Sequence, residues 1–310
     1  MPGEQGWDLL SVEDSTARLY LSHGDRIEVV DLASGKSVGT VAGLKGAHGV
    51  VAVPSLGKGF ATSGKDSAVV VFDLGTLATV TRLPVGGAKP DAIFRDPATG
   101  RLFVGLAGSD ALAVVDPVSL KVVGQVKLEG NPELMAADGK GMLYVAVEER
   151  SQVTAIDALT LKVKAVWPLG PGKEPTGLAM DSATGHLFAG CANRLLVELD
   201  AKDGHRIGTA PIGDRIDGVA FDPKSRRVFA SGGDGTLTVL QEGIAIRLHV
   251  VETVKTRPGA RTLAVDPRSG KIYLPTAEFG PMPTATKEQP KPRPPVVPGS
   301  FMLLEVSSQP

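Results

Sequence analysis

A unit of about 42 residues recurs along the chain, and this repeat constrains the fold more than any other feature. Each unit has an apolar stretch, a turn that usually begins with Asp, and a short stretch rich in β-branched and aromatic residues. Clear copies are AIFRDPATGRLFVG (92–105), LAMDSATGHLFAG (178–190), VAFDPKSRRVFAS (219–231) and LAVDPRSGKIYLP (263–275). Weaker copies begin at positions 10, 51 and 136, so seven units follow one another.

The second half of each unit is also repetitive. Another apolar stretch ends in Asp in most units, and a turn then leads to a fourth stretch. Four short strands per unit, joined by turns of Gly, Pro and Asp, are typical of a propeller blade. We therefore predict an all-β, seven-bladed β-propeller of four-stranded blades that forms a single domain over residues 1–310. We name the strands of each blade a to d from the channel outward.

The last blade departs from this pattern. It has sequence for strands a to c, but the chain ends before a strand d, and Met1 to Gly6 are too few to supply one. We expect a native chain that is longer at its N-terminus, and an open strand edge on blade 7 through which the protein self-associates. The loop between strands b and c of this blade is a proline-rich insertion at 277–300. We expect it to be either a flexible, protruding loop or a flap over the channel.

Composition narrows the classes of partner. The net charge is −1, which argues against nucleic acid or an anionic membrane as the main partner. No apolar run is long enough to predict a membrane span. Cys191 is the only cysteine, so no intramolecular disulfide is expected, and its apolar neighbours favour a buried role over a reactive thiol. No motif indicates an organic cofactor.

Several segments resemble the YncE-like, YVTN-repeat propellers of bacteria. They are GWD (6–8), AHGV (47–50), KPDAIFRDPATG (89–100), PTGLAMD (175–181), GDGTLTV (233–239) and PGARTLAVDP (258–267), which together span nearly the whole chain. The resemblance implies an exported protein, periplasmic or secreted, of a class that often has no assigned biochemical role. The first residues do not form a signal peptide, so an exported protein would have lost its signal upstream of this sequence.

One position of the repeat is polar in every unit. It lies five residues before the turn, at the start of strand a, and is expected to form a ring around the channel mouth. We call these residues the ring: Asp8, His48, Asp91, Glu133, Thr176, Asp217 and Arg261. A solvated channel mouth alone explains polar residues there. A binding site also explains them, because four carboxylates face one Arg, an excess that a cation or a proton would relieve.

The ring contains a candidate metal site. Asp8, His48, Asp91 and Glu133 offer carboxylate and imidazole ligands to a divalent cation, which is the only cofactor that the sequence suggests. Gly49 is expected to let the chain turn into strand a behind His48. Trp7 precedes Asp8, where it either stacks on a ligand or packs between blades.

The loops between strands b and c lie on the same face as the ring. Their polar residues could enlarge a binding surface, although most are also ordinary residues of solvated turns. The candidates are His23, Lys65, Glu148, Arg150, Asn193 and Arg194.

Two functions are consistent with this ring. The first is non-catalytic binding of a small ligand, a cation or a partner protein at the channel mouth. The second is a metal-assisted hydrolase or lyase, of the lactonase-like or lyase-like kind. In that case His48 would be the general base, Glu133 or Asp91 the acid or metal ligand, and Arg261 the anion clamp.

Overall fold

The structure, a computed structural model, describes residues 6–243, 248–284, 286 and 292–307. These residues form seven antiparallel sheets. The innermost strands neighbour one another in sequence order, and that of blade 7 contacts that of blade 1, which closes the ring of blades. The prediction of an all-β, seven-bladed propeller is therefore confirmed.

Blades 1 to 3 each contain four strands in the order a to d. Blade 1 has β1 (Trp7–Glu13), β2 (Arg18–His23), β3 (Arg26–Asp31) and β4 (Lys36–Val41). Blade 2 has β5 (Ala47–Val53), β6 (Lys58–Ser63), β7 (Ala68–Asp73) and β8 (Thr79–Pro84). Blade 3 has β9 (Pro90–Arg95), β10 (Leu102–Leu106), β11 (Ala111–Asp116) and β12 (Lys121–Lys127).

Blades 4 to 6 repeat this order. Blade 4 has β13 (Pro132–Ala137), β14 (Met142–Val147), β15 (Gln152–Asp157) and β16 (Lys162–Pro168). Blade 5 has β17 (Pro175–Asp181), β18 (His186–Cys191), β19 (Leu195–Asp200) and β20 (Arg206–Pro211). Blade 6 has β21 (Ile216–Asp222), β22 (Arg227–Gly232), β23 (Thr236–Gln241) and β24 (His249–Lys255).

Blade 7 has three strands, β25 (Ala264–Val265), β26 (Ile272–Thr276) and β27 (Met302–Val306), so within the described residues its sheet lacks an outer strand, as the sequence predicts. Strand a is reduced to two residues of the predicted stretch RTLAVD. In the insertion, a bridge between Phe279 and Val296 turns the described part back on itself. Self-association through β27 stays a prediction, and residues 1–5, which bear on the expected longer N-terminus, lie outside the described residues.

The core lies between the blades rather than within one layer. Strands b and c are buried along almost their whole length, as β10 and β11 illustrate, because their side chains pack against the neighbouring blade on either face. This explains why the sequence shows nearly continuous apolar runs there instead of alternation. The outer strands, such as β4 and β12, are mostly exposed.

The Asp-led turns between strands a and b are closed by their own carboxylates. In blade 3, the buried Asp96 accepts hydrogen bonds from the backbone N–H of Thr99 at 2.8 Å and from its hydroxyl at 2.6 Å. Asp181, Asp222 and Asp266 are buried in the same way. A short polar side chain that bonds to the backbone ahead of it fixes such a turn, which is why the motif recurs.

The described part of the chain contains two short 3-10 helices, Pro54–Leu56 and Gly64–Asp66. Within the described ranges, no helix has the length and hydropathy needed to cross a bilayer.

Candidate functional site

Six of the seven ring residues sit in irregularities of strand a. In blades 1 to 6, the pairing of strand a with strand b shifts register at the ring position. A bulge leaves a residue outside the ladder and turns its side chain away from the regular direction. Each of these strands thus adds an unpaired position next to the channel mouth, and the ring side chains interact across blade boundaries from there.

Asp8, His48 and Asp91 meet across blades 1, 2 and 3. His48 Nδ1 lies 2.7 Å from Asp8 Oδ2, to which the imidazole donates a hydrogen bond, and 4.0 Å from Asp91 Oδ1. One ligating atom from each of the three residues lies within 4.8 Å of the others. Glu133, which the sequence had suggested as a fourth ligand, is not in this group.

The His48 ring is held from its other edge by blade 2 itself. A Cβ at Gly64, in the loop between strands b and c, would lie 2.9 Å from both Cδ2 and Nε2 of the imidazole. Only glycine therefore lets the loop pack so closely on this edge. As a result, Nδ1 is the ring nitrogen that faces the two carboxylates.

Arg261 is the cation that faces the other side of Asp8. Its Nε lies 2.7 Å from Asp217 Oδ2, and one terminal nitrogen lies 3.7 Å from Asp8 Oδ1. The exposed fractions of these side chains are 36% for Arg261, 25% for Asp217 and 18% for Asp8. These side chains are partly buried but keep some contact with water, so their ion pairs are expected to stabilise the fold less than fully buried ones do.

Glu133 has a different neighbourhood. Asn131 donates hydrogen bonds from its side-chain amide to Glu133 Oε1 at 2.7 Å and to Glu148 Oε2 at 3.1 Å. Glu148 comes from the b–c loop of blade 4, so this loop adds a fifth carboxylate to the mouth. The sequence had placed Glu148 among residues that could enlarge the surface, but it gave no sign that Asn131 would join the two acids.

Crowding and burial raise the pKa values of three of these acids. Burial and then the Asp8 carboxylate raise the pKa of Asp91 to about 6. Burial raises the pKa of Asp217 to about 7 in spite of the Arg261 charge. Burial and four neighbouring carboxylates raise the pKa of Glu133 to about 9. The hydrogen bond with Asp8 raises the pKa of His48. The mouth is therefore short of positive charge at neutral pH.

Trp7 and Thr176 have packing contacts. Trp7 lies with its ring centroid 5.4 Å from that of Phe301 and 5.9 Å from that of Phe279. It therefore packs against the insertion of blade 7, which is the second of the two roles considered for it. Thr176 donates a hydrogen bond from its hydroxyl to the backbone oxygen of Ile216 at 2.8 Å, which ties blade 5 to blade 6.

Two other expectations need correction, those for Gly49 and His23, whereas that for Cys191 agrees with the structure. Gly49 does not turn the chain, because β5 runs through it, and it is needed because a Cβ there would lie 2.8 Å from the backbone oxygen of Asp91. His23 is not at the surface: it is fully buried and stacks on Phe301 at 4.0 Å between ring centroids. Cys191 is buried as expected, and burial raises the pKa of its thiol to about 12.

Comparisons with known proteins identify the fold. No protein-family model matches the chain. No curated protein matches it either. Among solved structures, one titled Kuenenia stuttgartiensis hydrazine synthase has a TM-score of 0.77 at 15% identity, covering 88% of this chain and 94% of that chain. A chain from a structure of the mitotic checkpoint complex has a TM-score of 0.75 at 14% identity, covering 86% of this chain and 83% of that one. At such identities the likeness establishes the propeller fold alone.

Proposed function

We propose that this chain is an exported propeller of the YncE-like class that binds a divalent cation at the mouth of its channel, without catalysis. The observation that carries the proposal is the Asp8–His48–Asp91 group, whose ligating atoms lie within 4.8 Å of one another. Two carboxylates and one imidazole are a donor set that divalent transition cations accept. The exported location rests on the sequence resemblance and on nothing else.

The charge at the mouth supports a cation as the ligand. Five carboxylates face Arg261 and His48, and three of them hold protons more tightly than free carboxylic acids do. A bound divalent cation would replace these protons and would satisfy the acids at the same time. An anionic ligand would instead add to the repulsion.

The proposal is tested by titrating chelator-treated protein with Zn²⁺ and Mn²⁺ in a calorimeter, with metal content measured separately. We expect His48→Ala to remove one equivalent of bound metal, because it removes the only imidazole of the ring. Binding should tighten between pH 5.5 and 7.5, because Asp91, with its pKa of about 6, and His48 must both lose a proton.

Thr176→Val is the matched control, because Thr176 belongs to the ring but bonds to a backbone oxygen outside the group of three. This variant should bind as many equivalents as the wild type. If His48→Ala binds as much metal as Thr176→Val does, with the same pH dependence, the proposal is wrong.

A metal-assisted hydrolase or lyase is the second candidate, and one specific observation favours it. His48 is oriented by Asp8 as a base would be, while Glu133, with its pKa of about 9, still carries a proton to donate at neutral pH. Environments that drive the pKa values of titratable groups apart mark acid and base roles in many enzymes. Arg261 would then hold an anionic part of the substrate.

The two candidates separate in an assay of metal-loaded protein against a panel of lactones and esters. Turnover that Glu133→Gln abolishes without loss of bound metal would favour the enzyme. If the protein binds the metal stoichiometrically but shows no turnover, non-catalytic binding is the function that remains.

A further inference from the structure

A second group of polar residues lies between blades 5 and 6, at the opposite end of the blades from the ring. His186 begins strand b of blade 5, Glu198 lies on strand c of the same blade, and Glu242 follows strand c of blade 6. We call these three residues the blade 5–6 cluster. None of them belongs to the ring, and neither proposed function uses them.

The three side chains converge on one point. His186 Nδ1 lies 2.9 Å from Glu242 Oε1 and 3.1 Å from Glu198 Oε1, and the three ligating atoms lie within 4.8 Å of one another. Ligand atoms at a tetrahedral Zn²⁺, with bonds of about 2.1 Å, lie about 3.4 Å apart, so these side chains would move outward by about 0.5 Å or less to admit the ion. Nδ1 is buried, and its contacts with both oxygens have the distances of ion pairs without good hydrogen-bond geometry.

The carboxylates of this cluster are almost completely buried. The exposed fraction of the side chain is 3% for Glu198 and 1% for Glu242, and Asp181 beside them is exposed by 3%. Arg226 lies 2.7 Å from Glu242 Oε2 and 3.4 Å from Asp181 Oδ2. Three acids thus share one guanidinium and one imidazole in a buried place, an excess of acidic groups that a divalent cation would balance.

Glu198 is the residue that points to a ligand. Its carboxylate is aimed at His186 through Oε1, while the buried Oε2 has no hydrogen-bond partner among the described residues. Leaving such an acceptor buried and unpaired is costly. Burial accordingly raises the pKa of Glu198.

The repeat itself shows that Glu198 is out of place in an ordinary core. The residues at the same register in strand c of the other four-stranded blades are all small and apolar. They are Val29, Val71, Val114, Ala155 and Val239. A glutamate at a valine position of a propeller core loses packing and gains a buried charge, so a compensating interaction is expected there.

We propose that His186, Glu198 and Glu242 bind one divalent transition cation of the Zn²⁺ type, which joins blade 5 to blade 6. Imidazole favours such ions over Mg²⁺ and Ca²⁺, whose ligands are oxygens. Arg226 then holds the second oxygen of Glu242 and orients it. A third group, Asp200, Asp203 and His205, contains two exposed residues, so it serves as a control rather than as a site.

The test uses the full chain after chelator treatment, with Zn²⁺ as the probe. We expect zinc to raise the melting temperature and to bind in two equivalents, one at the ring and one at the blade 5–6 cluster. Glu198→Gln, which keeps the shape of the side chain, should lose one equivalent and weaken binding at this site at least about tenfold. His205→Gln should lose none, and His48→Ala should lose only the other equivalent.

A second measurement does not depend on the folding of any variant. Crystals of the wild-type protein soaked in Zn²⁺ should show an anomalous peak between His186 and Glu242. The proposal is overturned if no peak lies there, or if zinc binds to Glu198→Gln and stabilises it as much as it does the wild type. Failure of the ring site would leave this result unaffected, because the two sites share no residue.

Discussion

The ring and the blade 5–6 cluster use the same residue types in two different environments. Each joins a histidine, several carboxylates and one arginine across blade boundaries, and each has an arginine nitrogen 2.7 Å from a carboxylate oxygen. The partner of Arg261 is 25% exposed, whereas the partner of Arg226 is 1% exposed. The nitrogen–oxygen distance is the same in the two ion pairs, and only their burial differs. Burial therefore decides how much each ion pair contributes to the free energy of unfolding.

The comparison predicts its largest effect for the two arginines. Without metal at pH 7, Arg226→Met should lower the free energy of unfolding by about 3 kcal/mol or more, because it leaves Glu242 and Asp181 buried without their cation. Arg261→Met should lower it by about 1 kcal/mol or less, because Asp217 and Asp8 remain in contact with water. Urea unfolding of both variants in chelator measures the difference, and equal losses would contradict the comparison.

An intermediate effect on the free energy of unfolding is expected at the backbone beside the ring. This backbone is closely packed, although the ring side chains have some contact with water. Gly49→Ala would place a Cβ 2.8 Å from the backbone oxygen of Asp91 and 2.9 Å from the backbone nitrogen of Ile93. Neither atom can move without the strand, so the free energy of unfolding should fall by about 2 kcal/mol. Gly6→Ala is the control, because nothing lies within 4 Å of its Cβ. A fall for both variants, or for neither, in the same urea experiment would show that the blades do not pack this closely.

The smallest effect concerns the dependence of stability on pH. The folded protein holds a proton on Glu133 up to a pKa of about 9, far above the value in an unfolded chain, so the folded state binds more protons between these values. The stability of the metal-free protein should therefore fall as the pH rises from 5 to 9. Asp91, Asp217 and the raised pKa of His48 act in the same direction.

Glu133→Gln isolates the contribution of one acid, since it removes the proton that titrates. At pH 9 this variant should be more stable than the wild type by about 1 kcal/mol, a value reduced for the contact of Glu133 with solvent, and at pH 5 the two should be alike. Unfolding in urea at pH 5, 7 and 9 measures this, with the exposed Glu129→Gln as a control that changes nothing. A gain that is the same at every pH would mean that repacking, and not titration, is its cause.

The fold could be predicted because each repeat contains the residues that determine its own strands and turns. Each Asp-led turn carries the carboxylate that closes it, and each b and c strand carries apolar side chains for both of its faces. The ring could be predicted from the same repeat. A residue that lies five positions before the turn in every unit occupies the same position in every blade. For this reason the sequence alone places Asp8, His48 and Asp91 in one group.

What could not be predicted depends on contacts between blades at positions that do not repeat. The partnership of Asn131 with Glu133 and Glu148 joins a loop to a strand start, and no offset links them. His23 was expected at the surface, but Phe301, from the far end of the chain, covers it. The blade 5–6 cluster did leave one signal, the glutamate of LVELD (196–200), where the other four-stranded blades have valine or alanine. That signal indicates a buried charge but does not name its partners.

The bulges at the channel mouth make the side chain that each blade exposes there independent of the strand pairing that builds the blade. Because the residue in the bulge lies outside the ladder, it can change from aspartate to histidine to threonine while the strands on either side keep their pairing. The scaffold thus offers a set of exchangeable positions, one for each of blades 1 to 6, that selection or design can vary without changing how the strands pair. A new specificity at this mouth would require new side chains but no new architecture.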